Sequence, residues 1–124
     1  FFFTPTPEYP ILSGLVGSEM CIRDRPSAKK CLKTAGLKTT DVDLWEINEA
    51  FASVPLRYMN DLEIDYSVTN VNGGAIAMGH PLGATGAVLV STMLDELERR
   101  DLNIGMMSLC VGGGMGISCL IERV

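Results

Sequence analysis

The chain has 124 residues, 47% of them hydrophobic, and a net charge of −5. That length holds one domain or part of one, with enough apolar residues for a core of ordinary density. An acidic balance without a basic run argues against a nucleic-acid surface, and no apolar run approaches the roughly 20 residues of a membrane span.

Cys21, Cys31, Cys110 and Cys119 form no CxxC pair, and with a single histidine they offer no zinc-ligand set. The absence of a dense cysteine framework points to a reducing, cytoplasmic compartment.

Residues 1–25 stand apart from the rest. Phe1-Phe2-Phe3-Thr4-Pro5-Thr6-Pro7 has neither helical nor strand periodicity. No basic region precedes the apolar residues 11–17, so they do not read as a secretory signal. Gly17-Ser18-Glu19-Met20-Cys21-Ile22-Arg23-Asp24-Arg25 resembles a translated sequencing adapter. Residues 1–25 therefore read as a non-native or disordered leader, and residues 26–124 as the folded domain.

Order begins at Pro26, a residue suited to the first helical position. Ala28, Cys31, Leu32 and Ala35 recur at helical spacing, and Gly36 is placed to end the helix. Cys31 falls on the apolar face and is expected in the core. Leu44-Trp45-Glu46-Ile47-Asn48 reads as a short strand. From Ala50 to about Asp61 a helical stripe resumes through Phe51, Val54, Tyr58 and Leu62, with Pro55 kinking it or falling in its first turn.

Val68–Val71 reads as a second strand leading into a glycine-rich stretch. Ala84 to Arg100 reads as a helix with Val90, Met93, Leu94 and Leu97 buried. Asp95–Arg99 and Glu96–Arg100 would then pair on its wet face. Gly83, Ala84, Gly86 and Ala87 keep its first turns thin enough for another backbone to pack closely. Ile104–Val111 and Met115–Glu122 read as an antiparallel hairpin across Gly112-Gly113-Gly114, with Ile117, Cys119 and Ile121 facing one way and Cys119 expected in the core.

The order α-β-α-β-α-β-β favours an α/β domain with helices layered on a mixed sheet. The first helix should follow a strand that residues 1–25 do not convincingly supply.

Three places could carry chemistry. His80, the only histidine, sits in a stretch from Asn72 to Gly86 that holds five glycines. An imidazole there, near a helix start, suits proton transfer or polarisation of a carbonyl. Cys110 ends a strand directly before three glycines whose N–H groups could bind an oxyanion, although a cysteine there could equally be a small buried hydrophobe. Asn48 ends another strand, where its amide could orient a water or a carbonyl, or cap the next helix. Glu46 and Glu49 are candidate bases, or simply solvated or paired carboxylates. The glycine stretch lacks the Gly-Lys-Ser/Thr ending of a phosphate loop, and Gly112-x-Gly114-x-Gly116 precedes a strand where a dinucleotide fingerprint needs a helix.

Taken together, Asn48-Glu49-Ala50-Phe51-Ala52, the run from Asn72-Gly73-Gly74 through Gly79-His80-Pro81 to Gly86, and Cys110-Val111-Gly112-Gly113-Gly114-Met115-Gly116 resemble the C-terminal half of a thiolase. This is the acetyl-CoA acetyltransferase / 3-ketoacyl-CoA thiolase family, and the resemblance runs through residues 26–124. It implies a thiolase-like α/β/α half-domain with a mixed sheet, incomplete at its N-terminus. It implies a reversible thioester Claisen condensation, or thiolysis of a 3-ketoacyl-CoA, with coenzyme A as substrate and no bound cofactor or metal.

By the same resemblance, His80 activates a nucleophilic cysteine and helps bind the thioester oxygen. Cys110 is the acid/base cysteine. Asn48 holds a water in that oxyanion site, the Gly112 N–H serves a second one, and Phe51 walls the acyl pocket. The nucleophile would come from an N-terminal thiolase half, so the chain alone is expected to be inactive. The full protein is expected to be a homo-oligomer acting on acyl-CoA. A non-catalytic thiolase-like partner module is the alternative. A ketoacyl synthase is disfavoured, since those enzymes generally pair their cysteine with two histidines.

Overall fold

In a computed structural model of the chain, residues 23–111 and 115–124 are described. Four helices and three strands occur among them: α1 (Asp24–Ala35), β1 (Leu44–Ile47), α2 (Ser53–Leu62), α3 (Ala75–Met78), α4 (Thr85–Arg100), β2 (Ile104–Val111) and β3 (Met115–Glu122). The sheet order is β1-β2-β3. β1 runs parallel to β2, in register from Leu44 opposite Gly105 to Ile47 opposite Ser108. β2 and β3 are antiparallel, from Ile104 opposite Glu122 to Val111 opposite Met115. The mixed sheet and the hairpin are as expected, while the three-glycine turn lies outside the described residues.

Helices cover both faces of the sheet. Alternation along β1 sends Trp45 and Ile47 to one side, where they pack with Met106 against Ala28 and Leu32 of α1 and Val54, Tyr58 and Leu62 of α2. Trp45 and Tyr58 meet edge to face, with ring centroids 6.0 Å apart. Leu44 and Met107 point to the other side, against Leu89, Met93 and Leu97 of α4. β1 is an edge strand, yet all four of its residues are buried because helices cover both of its faces.

α1 begins at Asp24, two residues before Pro26. Asp24 and Arg25 are buried, and Arg25 pairs with Asp61 of α2. The close approach behind this depends on Gly116. A Cβ there would stand 2.4 Å from the Arg23 carbonyl carbon and from the Asp24 nitrogen, so only glycine lets α1 start against β3. The helix ends at Gly36, with the Leu37 N–H reaching back to the Leu32 carbonyl (3.0 Å). Cys31 is half-buried against the core of that face, and burial pushes its thiol pKa up.

α2 begins at Ser53, later than the spacing suggested, and Pro55 falls in its first turn without a break. Phe51 lies ahead of the helix and is 43% exposed, so it is not part of the buried stripe.

Three further expectations fail. Val68–Val71 is not a strand. Asn70 adopts a left-handed conformation (φ 47°), and its carboxamide replaces a ladder partner, accepting from Ile47 N (2.7 Å) and donating to Ile47 O (2.9 Å). One isolated parallel bridge, Trp45 with Thr69, remains of the pairing.

The buried face of α4 is Leu89, Met93, Glu96 and Leu97, while Val90 and Leu94 are exposed. The helix carries two overlapping apolar stripes that share Met93 and Leu97, and the buried one adds Leu89, with the Met93 thioether seated over Gly105 of β2. Glu96 is therefore not on the wet face. It is buried and takes both Arg99 (2.6 Å) and Arg100 (2.6 Å).

Cys119 is exposed, not core. α4 packs mainly over β1 and β2 and meets β3 at Ile121, so Met115, Ile117 and Cys119 lie open beyond it. The thin first turns of α4 also face open space, for a Cβ on Gly86 would meet nothing within 4 Å.

Candidate functional site

The parallel pairing of β1 and β2 brings Asn48 and Cys110 out at the same end of the sheet. Asn48 follows β1 directly, and its N–H still donates to Ser108 O of β2 (2.9 Å). It does not cap α2, whose N-terminal cap position is Ala52. Cys110 lies near the end of β2, half-buried against the α1–α2 side of the core.

His80 reaches this end from the glycine stretch. Its Nε2 lies 3.3 Å from Asn48 Nδ2, and its Nδ1 lies 2.7 Å from Thr85 Oγ1 at the start of α4. Two of the three expected polar residues are thus joined directly, across 32 residues of sequence. Gly112 lies outside the described residues.

Glu49 holds the glycine stretch in place. One carboxylate oxygen accepts from Asn70 Nδ2 (3.0 Å), and the other accepts from the Ile76 N–H (3.0 Å). The carboxylate lies over Gly74, where a Cβ would stand 2.3 Å from Glu49 Cδ. Glu49 is therefore neither a solvated side chain nor a free base but the clamp between β1 and the loop. Asn72 adds a second tie, donating to Glu96 of α4 (2.9 Å).

Glu46 and Asn48 share one face of β1 and line a pocket of about 80 Å³ with Gly74, Met78, Thr85 and Leu89. Glu46 is 3% exposed. Burial, reinforced by the Glu49 and Glu96 carboxylates, pushes its pKa up to about 7. Asn48 Oδ1, also buried, has no hydrogen-bond partner among the described residues. A buried acceptor beside a cavity of this size is suited to receive a water or a substrate group. No group of three or more His, Cys, Asp or Glu side chains able to hold a metal occurs among the described residues.

Residues 11–123 match the family model for the thiolase C-terminal domain. The chain belongs to the thiolase family. It is 48% identical over 98 residues to the acetyl-CoA acetyltransferase of Paracoccus denitrificans, covering 79% of this chain and 25% of that protein. It is 55% identical over 94 residues to the peroxisomal 3-ketoacyl-CoA thiolase 1 of Arabidopsis thaliana, covering 74% of this chain and 21% of that one. The crystal structure of Bacillus anthracis acetyl-CoA acetyltransferase superposes with a TM-score of 0.83 at 42% identity, over 86% of this chain and 27% of that one. The chain spans about a quarter of the length of the curated relatives it matches.

Within this thiolase C-terminal domain, sequence spacing alone did not reveal Thr85, Asn70 or Glu96. For Thr85 a signal existed: a hydroxyl residue at the first position of the helix that follows the histidine.

Proposed function

We propose that this chain supplies the acid/base and oxyanion side of a thiolase-type acyltransferase. The reaction is the reversible Claisen condensation of two acetyl-CoA to acetoacetyl-CoA and CoA, or thiolysis of a 3-ketoacyl-CoA. Coenzyme A enters as part of the substrates, and no other cofactor or metal is needed.

The attacking cysteine comes from a complementary N-terminal half. The open first turns of α4 and the exposed Met115 and Ile117 of β3 leave apolar surface for further protein to cover. His80 accepts the nucleophile's proton and afterwards donates to the thioester oxygen, beside a water held by Asn48. Cys110 removes or returns the α-proton. The Gly112 N–H steadies the tetrahedral oxyanion, and Phe51 borders the acyl group. Such fixed donors matter because the α-proton of a thioester is only weakly acidic, so the enolate must be stabilised as it forms.

The observation that carries the proposal is the Asn48–His80 contact of 3.3 Å beside a pocket lined by Asn48. The full protein acts as a cytoplasmic homo-oligomer. Among the described residues no helix is long and apolar enough to cross a membrane.

The test is a graft of residues 26–124 into Paracoccus denitrificans acetyl-CoA acetyltransferase in place of the matching segment. CoA-dependent cleavage of acetoacetyl-CoA to two acetyl-CoA is expected from the graft. His80→Ala should lower it by at least about 10²-fold, the usual cost of one oxyanion donor. The ungrafted 124-residue chain should cleave none above its own His80→Ala control. A folded graft without turnover would favour a non-catalytic partner module, and activity of the chain alone would overturn the need for a second half.

A further inference from the structure

We infer that Thr85 is a positioning residue that fixes the tautomer of His80, putting the ring proton on Nδ1 and leaving Nε2 a bare acceptor facing Asn48. The inference rests on the proposed role of His80 and deepens it.

A hydroxyl has one proton to give. Thr85 Oγ1 donates to the Pro81 carbonyl at 3.0 Å, the bond a threonine in a first helical turn makes to the residue four before it. Its 2.7 Å contact with His80 Nδ1 must therefore be one in which Oγ1 accepts and Nδ1–H donates. Thr85 is 4% exposed, so water does not compete for the hydroxyl. The other side of the ring agrees. As placed, the Asn48 amide presents Nδ2 to Nε2 at 3.3 Å, a long contact that suits a lone pair there. In a neutral imidazole the hydrogen bond at one nitrogen decides which nitrogen carries the proton.

The chemical consequence is specific. A base must present its lone pair toward the group it deprotonates. With Nδ1–H bound to Thr85, Nε2 can take the thiol proton once its long contact with Asn48 Nδ2 yields to the incoming thiol, leaving a thiolate and an imidazolium. Nε2–H is then a donor for the thioester oxygen. One atom serves as base and then as oxyanion donor without the ring turning. The opposite tautomer would present a proton where a base is needed.

The chain's single histidine makes the test unambiguous. The probe is ¹⁵N-histidine label with long-range proton–nitrogen correlation, recorded above the imidazole titration. The wild type should show Nε2 as the unprotonated, downfield nitrogen. Thr85→Ser keeps the hydroxyl and should give the same pattern. Thr85→Val keeps the shape but loses the acceptor, and the share of the proton on Nε2 should rise measurably.

A wild-type spectrum with the proton on Nε2 overturns the inference, as does a folded Thr85→Val that keeps the wild-type pattern. Should Thr85→Val lose its dispersed amide spectrum, the wild type and Thr85→Ser still decide the matter. The measurement needs no turnover, so an inactive graft and a wrong tautomer are separate results.

Discussion

Replacing Glu46 by glutamine should make stability less dependent on pH, in a direction the structure fixes. The carboxyl is 3% exposed on the α4 face of β1, and its pKa is raised from 4.5 to about 7, chiefly by burial. The folded state therefore holds the proton more tightly than the unfolded chain does. Stability is greatest below the unfolded value of 4.5, falls as pH rises toward 7, and is level above it.

The difference of about 2.5 units, at about 1.4 kcal/mol each, sets the cost of the ionised form at roughly 3 kcal/mol. Glutamine keeps the shape and cannot ionise. Urea unfolding at pH 5 and pH 8 isolates the effect, because every other titrating group is common to both proteins. The stability of Glu46→Gln relative to wild type should rise by about 2–3 kcal/mol between the two pH values. A relative change within about 0.5 kcal/mol would show that Glu46 is not held neutral by burial.

Glu96→Gln should destabilise the protein at neutral pH, because Arg99, Asn72 and Arg100 hold that carboxyl below the usual range. The stabilisation is present above the ordinary carboxylate value and lost as pH falls through the lowered one, so thermal midpoints of variant and wild type should converge in acid. Gly74→Ala should cost about 1–3 kcal/mol by displacing the Glu49 carboxylate. In a double-mutant cycle that cost should shrink on a Glu49→Ala background, and full additivity would refute the clamp. Tyr58→Phe removes a buried 2.7 Å bond to Ser108 and should cost about 0.5–1.5 kcal/mol in denaturant unfolding, because the Ser108 hydroxyl keeps Ser118 as a partner. Cys119 should react with a thiol reagent faster than Cys31, whose pKa is raised and whose side chain is half-buried.

The elements were legible where one local rule decided them. Gly36 ends α1 and Pro55 falls in a first turn because φ limits leave little else. β1, β2 and β3 followed from short apolar runs between turn residues. What failed depended on partners far away in sequence. α4 has apolar residues on two adjacent faces that share Met93 and Leu97, and which of the two is buried depends on how the helix sits on β1 and β2. Cys119 alternates with aliphatics as a core strand residue would, yet α4 covers β3 only near Ile121. Asn70 looked like a strand residue because nothing local shows that its carboxamide, not its backbone alone, completes the edge of β1. The site divided in the same way. His80 stood out by its glycine surroundings, whereas the work of Glu49 and Thr85 appears only once the loop is folded over β1.

The direction of the strands explains why these residues form a site at all. β1 and β2 are parallel, so Asn48 and Cys110 leave the sheet at the same, carboxyl end. Antiparallel pairing would have put them at opposite ends. In open α/β sheets that carboxyl end is where a crevice forms and ligands bind. The glycine stretch is fastened across this end by ties to different elements: Glu49 at the close of β1, Glu96 within α4, and Thr85 at the start of α4. Each tie is short and each partner is at least partly buried, so His80 is oriented by groups that do not depend on a bound substrate. A base set in this way meets an incoming thiol with its geometry already fixed, and little reorganisation remains for the chemical step. Loosening Glu49 should therefore reach catalysis in the graft through the placement of His80, even though its carboxylate is committed to Asn70 and Ile76.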